Sequence, residues 1–341
     1  MEKIDLRSDT VTKPTDEMRE AMKEAEVGDD VLGEDPTVKK LEDLAAKKLG
    51  KESGLFVTSG TQGNITSLLT HTEPGEEVVM GKCCHIHRYE IGGYASLAGV
   101  TAQLLDDKEG HLPLEKIPEV IRADDIHHPK TSLICVENTH NIAGGIPLGE
   151  DYMKQVGEIA EENDLPVHLD GARIFNASVA LDVDVKDLVK PVDSVQFCLS
   201  KGLSAPVGSL LVGSEEFIEK ARKNRKKLGG GMRQAGVIAA PGIIALEKMI
   251  ERLEQDHKNL DKLVDGLEKL NVEVYPEKPR TNIIMVDTTS LEMRAEKLRK
   301  KLENEGILSL DLDKNMLRLV THREISSEDI DKVLEVFENK F

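Results

Sequence analysis

Tryptophan is absent from this chain, and aromatic residues of every kind make up only 3% of it. Its core must therefore be built from Leu, Ile, Val, Ala and Met, side chains that suit helices laid on a sheet buried on both faces. Cysteine is scarce as well. Cys83, Cys84, Cys135 and Cys198 form no CxxC pair and none of the paired spacings of a zinc site, so reduced and largely buried thiols are expected. Positive charge is in deficit. With 45 Lys and Arg against 63 Asp and Glu the formal net charge is -18, which repels phosphodiester backbones and anionic membrane surfaces and argues against nucleic acid or lipid as the main partner. No run reaches the ~18 apolar residues of a membrane span, and the charged stretch from Met1 to Val11 lacks the apolar segment of a secretory signal. A cytoplasmic protein acting on a small molecule is the expectation. The ten histidines make no HxxxH pair, so no metal is expected.

At 341 residues the chain exceeds one ordinary core, and two unequal domains are expected. Residues 1–13 show no clear period and read as an arm. Pro14 and Thr15 open a helix with Met18, Ala21, Met22 and Ala25 on one face, and Asp35-Pro36 opens a second that ends at Gly50. Short apolar runs then alternate with helical segments, at 55–57, 78–80, 133–136, 167–169, 195–198 and 210–212. Strands without polar alternation are buried on both faces, which points to an α/β fold with a mostly parallel central sheet flanked by helices. A long helical stretch from Met232 to Leu270 reads as a connector. Beyond it come a strand over 281–286, a helix over 291–305, strands near Ile307 and Leu317, and a last helix capped by Ser326-Ser327. The expected division is an arm over 1–13, a large domain over 14–245 and a smaller C-terminal α+β domain over 246–341.

Open α/β sheets bind ligands beyond the carboxyl ends of their strands, and several polar residues fall there. Ser59-Gly60-Thr61 follows the first run and opens a helix; its N–H groups suit a phosphate, or it is a plain helix cap. Asp170, after Val167-His168-Leu169, suits a pyridine nitrogen that must stay protonated, or it caps the helix that follows. Lys201 ends the apolar run 195–199; a lysine there is a solvated residue, a phosphate contact, or a neutral amine that can condense with an aldehyde. His85, past the run 78–80, either lies over a cofactor ring or satisfies its own loop. Arg318 stands between Leu317 and Leu319 on an apolar strand, where a guanidinium needs an anion, either a substrate carboxylate or an internal acid. Gly229-Gly230-Gly231 permits close backbone approach to a ligand or a neighbouring subunit, without the spacing of a dinucleotide fingerprint.

Taken together, these positions resemble the threonine aldolase and β-eliminating lyase family of pyridoxal-phosphate enzymes. The similarity runs from Leu6-Arg7-Ser8-Asp9-Thr10-Val11-Thr12, through Gly28-Asp29-Asp30 and Gly33-Glu34-Asp35-Pro36, to Leu319-Val320-Thr321-His322. It is most specific at Glu137-Asn138-Thr139-His140-Asn141, His168-Leu169-Asp170-Gly171-Ala172-Arg173, Cys198-Leu199-Ser200-Lys201-Gly202-Leu203 and the segment 229–234.

The resemblance implies the fold type I architecture of pyridoxal-phosphate-dependent transferases and retro-aldol cleavage of L-threonine or L-allo-threonine to glycine and acetaldehyde. By that analogy Lys201 carries pyridoxal 5'-phosphate, Asp170 pairs with the pyridine nitrogen, and His85 stacks on the ring. Ser59, Gly60 and Thr61 hold the phosphate, helped by Lys226 and Arg233 from the neighbouring chain, and Arg173 borders the cofactor. Ser8, Arg173 and Arg318 bind the substrate carboxylate, and His127 lies near the substrate hydroxyl. A homotetramer of two dimers, with active sites at the dimer interface, is implied as well. The chain departs from the family pattern at Leu32, where Tyr is common, and at His87-Arg88, where aromatic residues are; Tyr89 and Glu90 restore it. These positions bear on the aldehyde side of the pocket and leave side-chain preference open. The rivals are a β-eliminating lyase or aminotransferase on the same fold, and a binding protein that kept the fold without the chemistry.

Overall fold

The computed structural model describes residues 3–277 and 279–341. Seven strands form the central sheet: β1 (Ser53–Val57), β2 (Glu77–Gly81), β3 (Thr101–Leu105), β4 (Thr131–Glu137), β5 (Val167–Asp170), β6 (Ser194–Cys198) and β7 (Ser209–Gly213). Their order is β1-β7-β6-β5-β4-β2-β3. Only β7 runs against its neighbours β1 and β6; every other pairing is parallel. The expected mostly parallel α/β sheet is therefore present. Strands β2, β4, β5, β6 and β7 are buried along their whole length, which is why they read as unbroken apolar runs. Strand β3 gave no such signal. It is the sheet's edge, and only Leu105 of its five residues is fully buried.

Local chemistry accounts for the flanking helices. Thr15 caps Asp16–Glu24 by accepting from the Met18 N–H at 3.1 Å; of the expected apolar face only Met18 is fully buried. Asp35 caps Pro36–Leu49, which closes at Gly50 in the left-handed region with φ 65°. The stretch expected as one connector is two helices, Gly236–Lys248 and Leu253–Lys269. They serve different cores: Leu246, Met249 and Leu253 pack beneath the large sheet, whereas Leu260, Leu263, Val264 and Leu267 belong to a second cluster. One straight rod cannot face both, so the chain turns between them.

The second cluster covers a four-stranded sheet of β8 (Glu273–Tyr275), β9 (Ile283–Asp287), β10 (Leu310–Asp311) and β11 (Met316–Val320), ordered β10-β11-β9-β8 and antiparallel throughout. The helix expected over 291–305 is Ala295–Asn304, preceded by a 3-10 turn over Thr288–Leu291. The final helix, Ser327–Lys340, carries a capping box between Ser326 and Asp329.

The arm is anchored. Ile4–Asp5 pairs in parallel with Ile307–Leu308, Leu6 is fully buried in the second cluster, and the Thr12 hydroxyl donates to the Lys201 carbonyl at 2.9 Å. The arm thus ties the small sheet to the rim of the large one. Among the described residues, no helix is long and apolar enough to cross a membrane.

Candidate active site

Asp170 is the last residue of β5 and is buried. Its Oδ1 accepts from the Gln196 amide at 3.0 Å and the Ala172 N–H at 3.1 Å, and its Oδ2 accepts from the Asn64 amide at 2.8 Å. Burial alone would push its pKa up. The His85 charge, the Gln196 bond, the Lys201 charge and the Asn64 bond outweigh burial and hold the carboxyl below its ordinary range. The carboxylate therefore both bonds the next turn, as a cap does, and feels two cationic groups, as a cofactor counter-ion does.

His85 opens a four-residue helix just past β2. Its N–H donates to Glu137 Oε2 at 2.7 Å, and its Nδ1 lies 2.9 Å from Glu90 Oε1. Burial pulls the imidazole pKa down, but the Glu90 bond and the Asp170 charge exceed that pull, so the net shift is upward. Glu90 is itself raised, chiefly by burial, and its Oε2 has no hydrogen-bond partner. His85, Glu90 and Asp170 offer ligand atoms within 4.8 Å of one another, a set that suits a cation. The Asn64 amide already donates to Glu90 Oε1 and Asp170 Oδ2, and His85 Nδ1 meets Glu90 Oε1, which leaves Glu90 Oε2 without a hydrogen bond among the described residues.

Two arginines flank this group. Arg173 is buried and bound in a fork by Asp9, Nε to Oδ2 and Nη2 to Oδ1, each at 2.7 Å; Asn282 adds a bond to Asp9 Oδ2 at 3.2 Å. Against its burial, the Arg173 charge and bonds hold the Asp9 carboxyl far below the ordinary range. Among the described residues Arg318, in the middle of β11, bonds only neutral acceptors, Asn141 Oδ1 at 2.9 Å and the Arg7 carbonyl at 3.1 Å, and its Nε has no partner. Burial first, and the positive charge of Arg173 second, pull its pKa down to about 10. The internal acid that sequence reasoning left open for Arg318 is not found among the described residues.

Ser59 caps the helix Gly60–His71 through the Gln62 N–H at 3.2 Å. That helix end rests on β6 so closely that a Cβ at Gly63 would fall 2.6 Å from Gln196 Cγ, and Gly230 lies against the Gln62 side chain. Lys201 is half-buried at the rim, and its charge acts on both Asp9 and Asp170. Ser8 caps the 3-10 turn Asp9–Val11, accepting from Thr10 at 3.2 Å.

Other candidates lie outward. Lys226 is exposed, and Arg233 is exposed and pairs with Asp29 at 2.9 Å. His127 sits on a surface turn with 78% of its side chain exposed, 2.7 Å from Asp125. Leu32 is 68% exposed.

Asn64, Asp9, Asn141 and Gln196 act here without having been singled out. Gln196 had a signal, as the one polar side chain in an apolar run. Asn64 had none, because its two carboxylate partners are 26 and 106 positions away.

This donor set fits pyridoxal phosphate: a buried carboxylate for a ring nitrogen, an imidazole beside it, an amine beyond the adjacent strand end, and a helix N-terminus close at hand. Sheet order and strand-end residues together define the fold type I architecture of pyridoxal-phosphate enzymes, and a threonine aldolase of Leishmania major superposes with a TM-score of 0.84 at 18% identity, covering 98% of each chain. Residues 5–290 match the beta-eliminating lyase family, and the chain belongs to it. It is 48% identical to low-specificity L-threonine aldolase 1 of Arabidopsis thaliana over 99% of this chain and 96% of that one. It is 44% identical to the low specificity L-threonine aldolase of Escherichia coli K12, over 97% of each.

Proposed function

We propose that this protein is a pyridoxal-phosphate-dependent aldehyde-lyase that cleaves L-threonine and L-allo-threonine to glycine and acetaldehyde, and takes other β-hydroxy-α-amino acids as well. The observation that carries the reading is Arg318. A buried guanidinium that bonds no acid among the described residues is costly unless an anion arrives, and a substrate carboxylate is the anion that Lys201 and Asp170 call for.

In this reading Lys201, Asp170, His85, Ser59, Gly60 and Thr61 would hold the cofactor: Lys201 through its amine, Asp170 through the ring nitrogen, His85 through the ring, and Ser59, Gly60 and Thr61 through the phosphate. When bound, pyridoxal phosphate supplies the electron sink for the pair released at Cα. The protein's own work is orientation and proton transfer. Arg318 fixes the substrate carboxylate, with Ser8 and Arg173 beside it, and so fixes which bond at Cα stands in the breaking position. His127, or a water that it positions, takes the proton of the β-hydroxyl as the Cα–Cβ bond breaks and the aldehyde leaves. Leu32 and His87-Arg88 border the aldehyde side and set the side-chain range.

We further infer a cytoplasmic homotetramer of two dimers, with each site completed at a dimer interface. The exposed Lys226 and Arg233, beside the glycine run, then serve the partner's phosphate. The 97% exposed Ile91 and the exposed Leu32 support such contacts. The division into an arm over 1–13, a large domain over 14–245 and a small domain over 246–341 belongs to the same reading.

Products of the purified protein test it. Glycine and acetaldehyde from threonine are expected, whereas ammonia with a keto acid would assign elimination instead. Lys201→Ala is expected to lose turnover, visible absorbance and the borohydride-trapped adduct together; a variant that retains all three sinks the assignment. Light scattering tests the tetramer.

A further inference from the structure

Asn64 occupies a position that the mechanism above leaves unused. Its single amide nitrogen lies 2.8 Å from Glu90 Oε1 and 2.8 Å from Asp170 Oδ2, so both of its hydrogens point at carboxylates. The amide oxygen faces the other way, 3.0 Å from His168 Nε2. Reversing the amide would aim that oxygen at two carboxylate oxygens, so its orientation is forced. It follows that His168 carries its hydrogen on Nε2, where it donates to Asn64, and that its Nδ1 is an acceptor. The hydroxyls of Ser67 and Ser194 both stand 2.9 Å from that nitrogen, and Ser194 in turn lies 2.8 Å from His71 Nε2. Burial holds the His168 imidazole well below its usual pKa, consistent with a neutral ring.

We propose that Asn64, set from behind by His168, is the positioning residue for the cofactor-facing carboxylate. Among the described residues Asp170 Oδ1 has two donors, Gln196 and the Ala172 N–H, but Oδ2 has only Asn64. Around this carboxylate His85 and Lys201 favour its charge, while Glu90 and Glu137 oppose it; Cys135, His140 and His168 complete the titratable neighbours. With two acids against it, a buried carboxylate needs its donors to stay ionised and aimed. The amide also ties Glu90, and through Glu90 the imidazole of His85, to the same point. Asn64 thereby holds the groups facing the ring nitrogen and the ring face in one fixed relation. His168, two residues before Asp170 on the same face of β5, keeps the amide from turning.

The inference rests on the cofactor reading above, and the test separates the two. In Asn64→Ala holoenzyme the dissociation constant for pyridoxal phosphate is expected to rise about tenfold, the loss of one charge-assisted hydrogen bond. The acid limb of the bound cofactor's visible absorbance should move to higher pH, because an Asp170 stripped of its Oδ2 donor protonates sooner on acidification. His168→Leu should move both readouts the same way by less. Changes of affinity within about twofold, with an unmoved acid limb, overturn the assignment. In the wild-type holoenzyme, 15N-histidine NMR should show His168 neutral and protonated on Nε2 from about pH 6 to 8; an Nδ1–H tautomer or a charged ring also overturns it, even if no variant folds. Wild-type protein that binds no pyridoxal phosphate would instead remove the functional reading itself.

Discussion

Arg173 lies close enough to Arg318 for its charge to pull the Arg318 pKa down, yet the two are built in opposite ways. Arg173 is locked to Asp9 by two bonds of 2.7 Å, so its charge is cancelled within the fold. Arg318 meets an amide oxygen and a backbone carbonyl and keeps its charge. The difference teaches how to tell a structural cation from a waiting one. A buried pair holds segments together and is expensive to break, whereas a buried cation without an acid is a place for an anion from outside.

Breaking the structural side should give the largest effect on stability. Asp9→Asn keeps the shape and removes the charge, leaving Arg173 buried and uncompensated; a loss of about 3–5 kcal/mol in chemical denaturation is expected. Because Asp9 also joins the arm to Asn282, just before β9, and lies near Lys201, activity should fall with it. If Asp9→Asn were as stable as the wild type, the contrast between the two arginines would collapse. The same pair makes a pH prediction. Its carboxyl is held below the unfolded value of about 3.9, so its contribution is present in full above that pH and is lost as pH falls through the lower folded value. The stability difference between wild type and Asp9→Asn should therefore stay level from neutrality to about pH 4 and shrink below it.

The functional side should respond in kinetics. Arg318→Leu is expected to lower kcat/KM for threonine by about tenfold to a hundredfold, the worth of a charge-assisted hydrogen bond of roughly 1.5–3 kcal/mol. Stability should change by no more than about 1 kcal/mol, since the lost bonds to Asn141 and Arg7 oppose the removed buried charge. A large loss of stability with intact KM would make Arg318 a structural cation after all. The smallest effect on stability belongs to His127→Ala, within about 0.5 kcal/mol for so exposed a side chain. A role as hydroxyl base requires turnover to drop by about 10²–10⁴-fold at unchanged cofactor affinity, measured by stopped-flow with threonine.

Legibility followed burial and sequence distance. Strands β2, β4, β5, β6 and β7 were readable because both faces are buried and the runs are unbroken; the edge strand β3, mostly half-exposed, was not. The caps at Thr15, Asp35 and Ser326 were visible because capping is local chemistry over three or four residues. Asp170, Lys201 and Arg318 drew notice because each interrupts or ends an apolar run. Asp9 stood within a family motif of the arm, but its pairing with Arg173 was not legible, since the two lie 164 positions apart.

The sequence by itself determined the α/β character, the strand ends on which a ligand would sit and the family to which the chain is similar, because periodicity, burial and motif spacing are written along the chain. Only the tertiary structure decided which charges cancel. Whether an arginine is neutralised, or a carboxylate kept ionised by one amide rather than another, depends on side chains brought within 3 Å from distant segments, and hydrogen bonds of that length fall off too steeply with distance and angle for composition or spacing to foretell them.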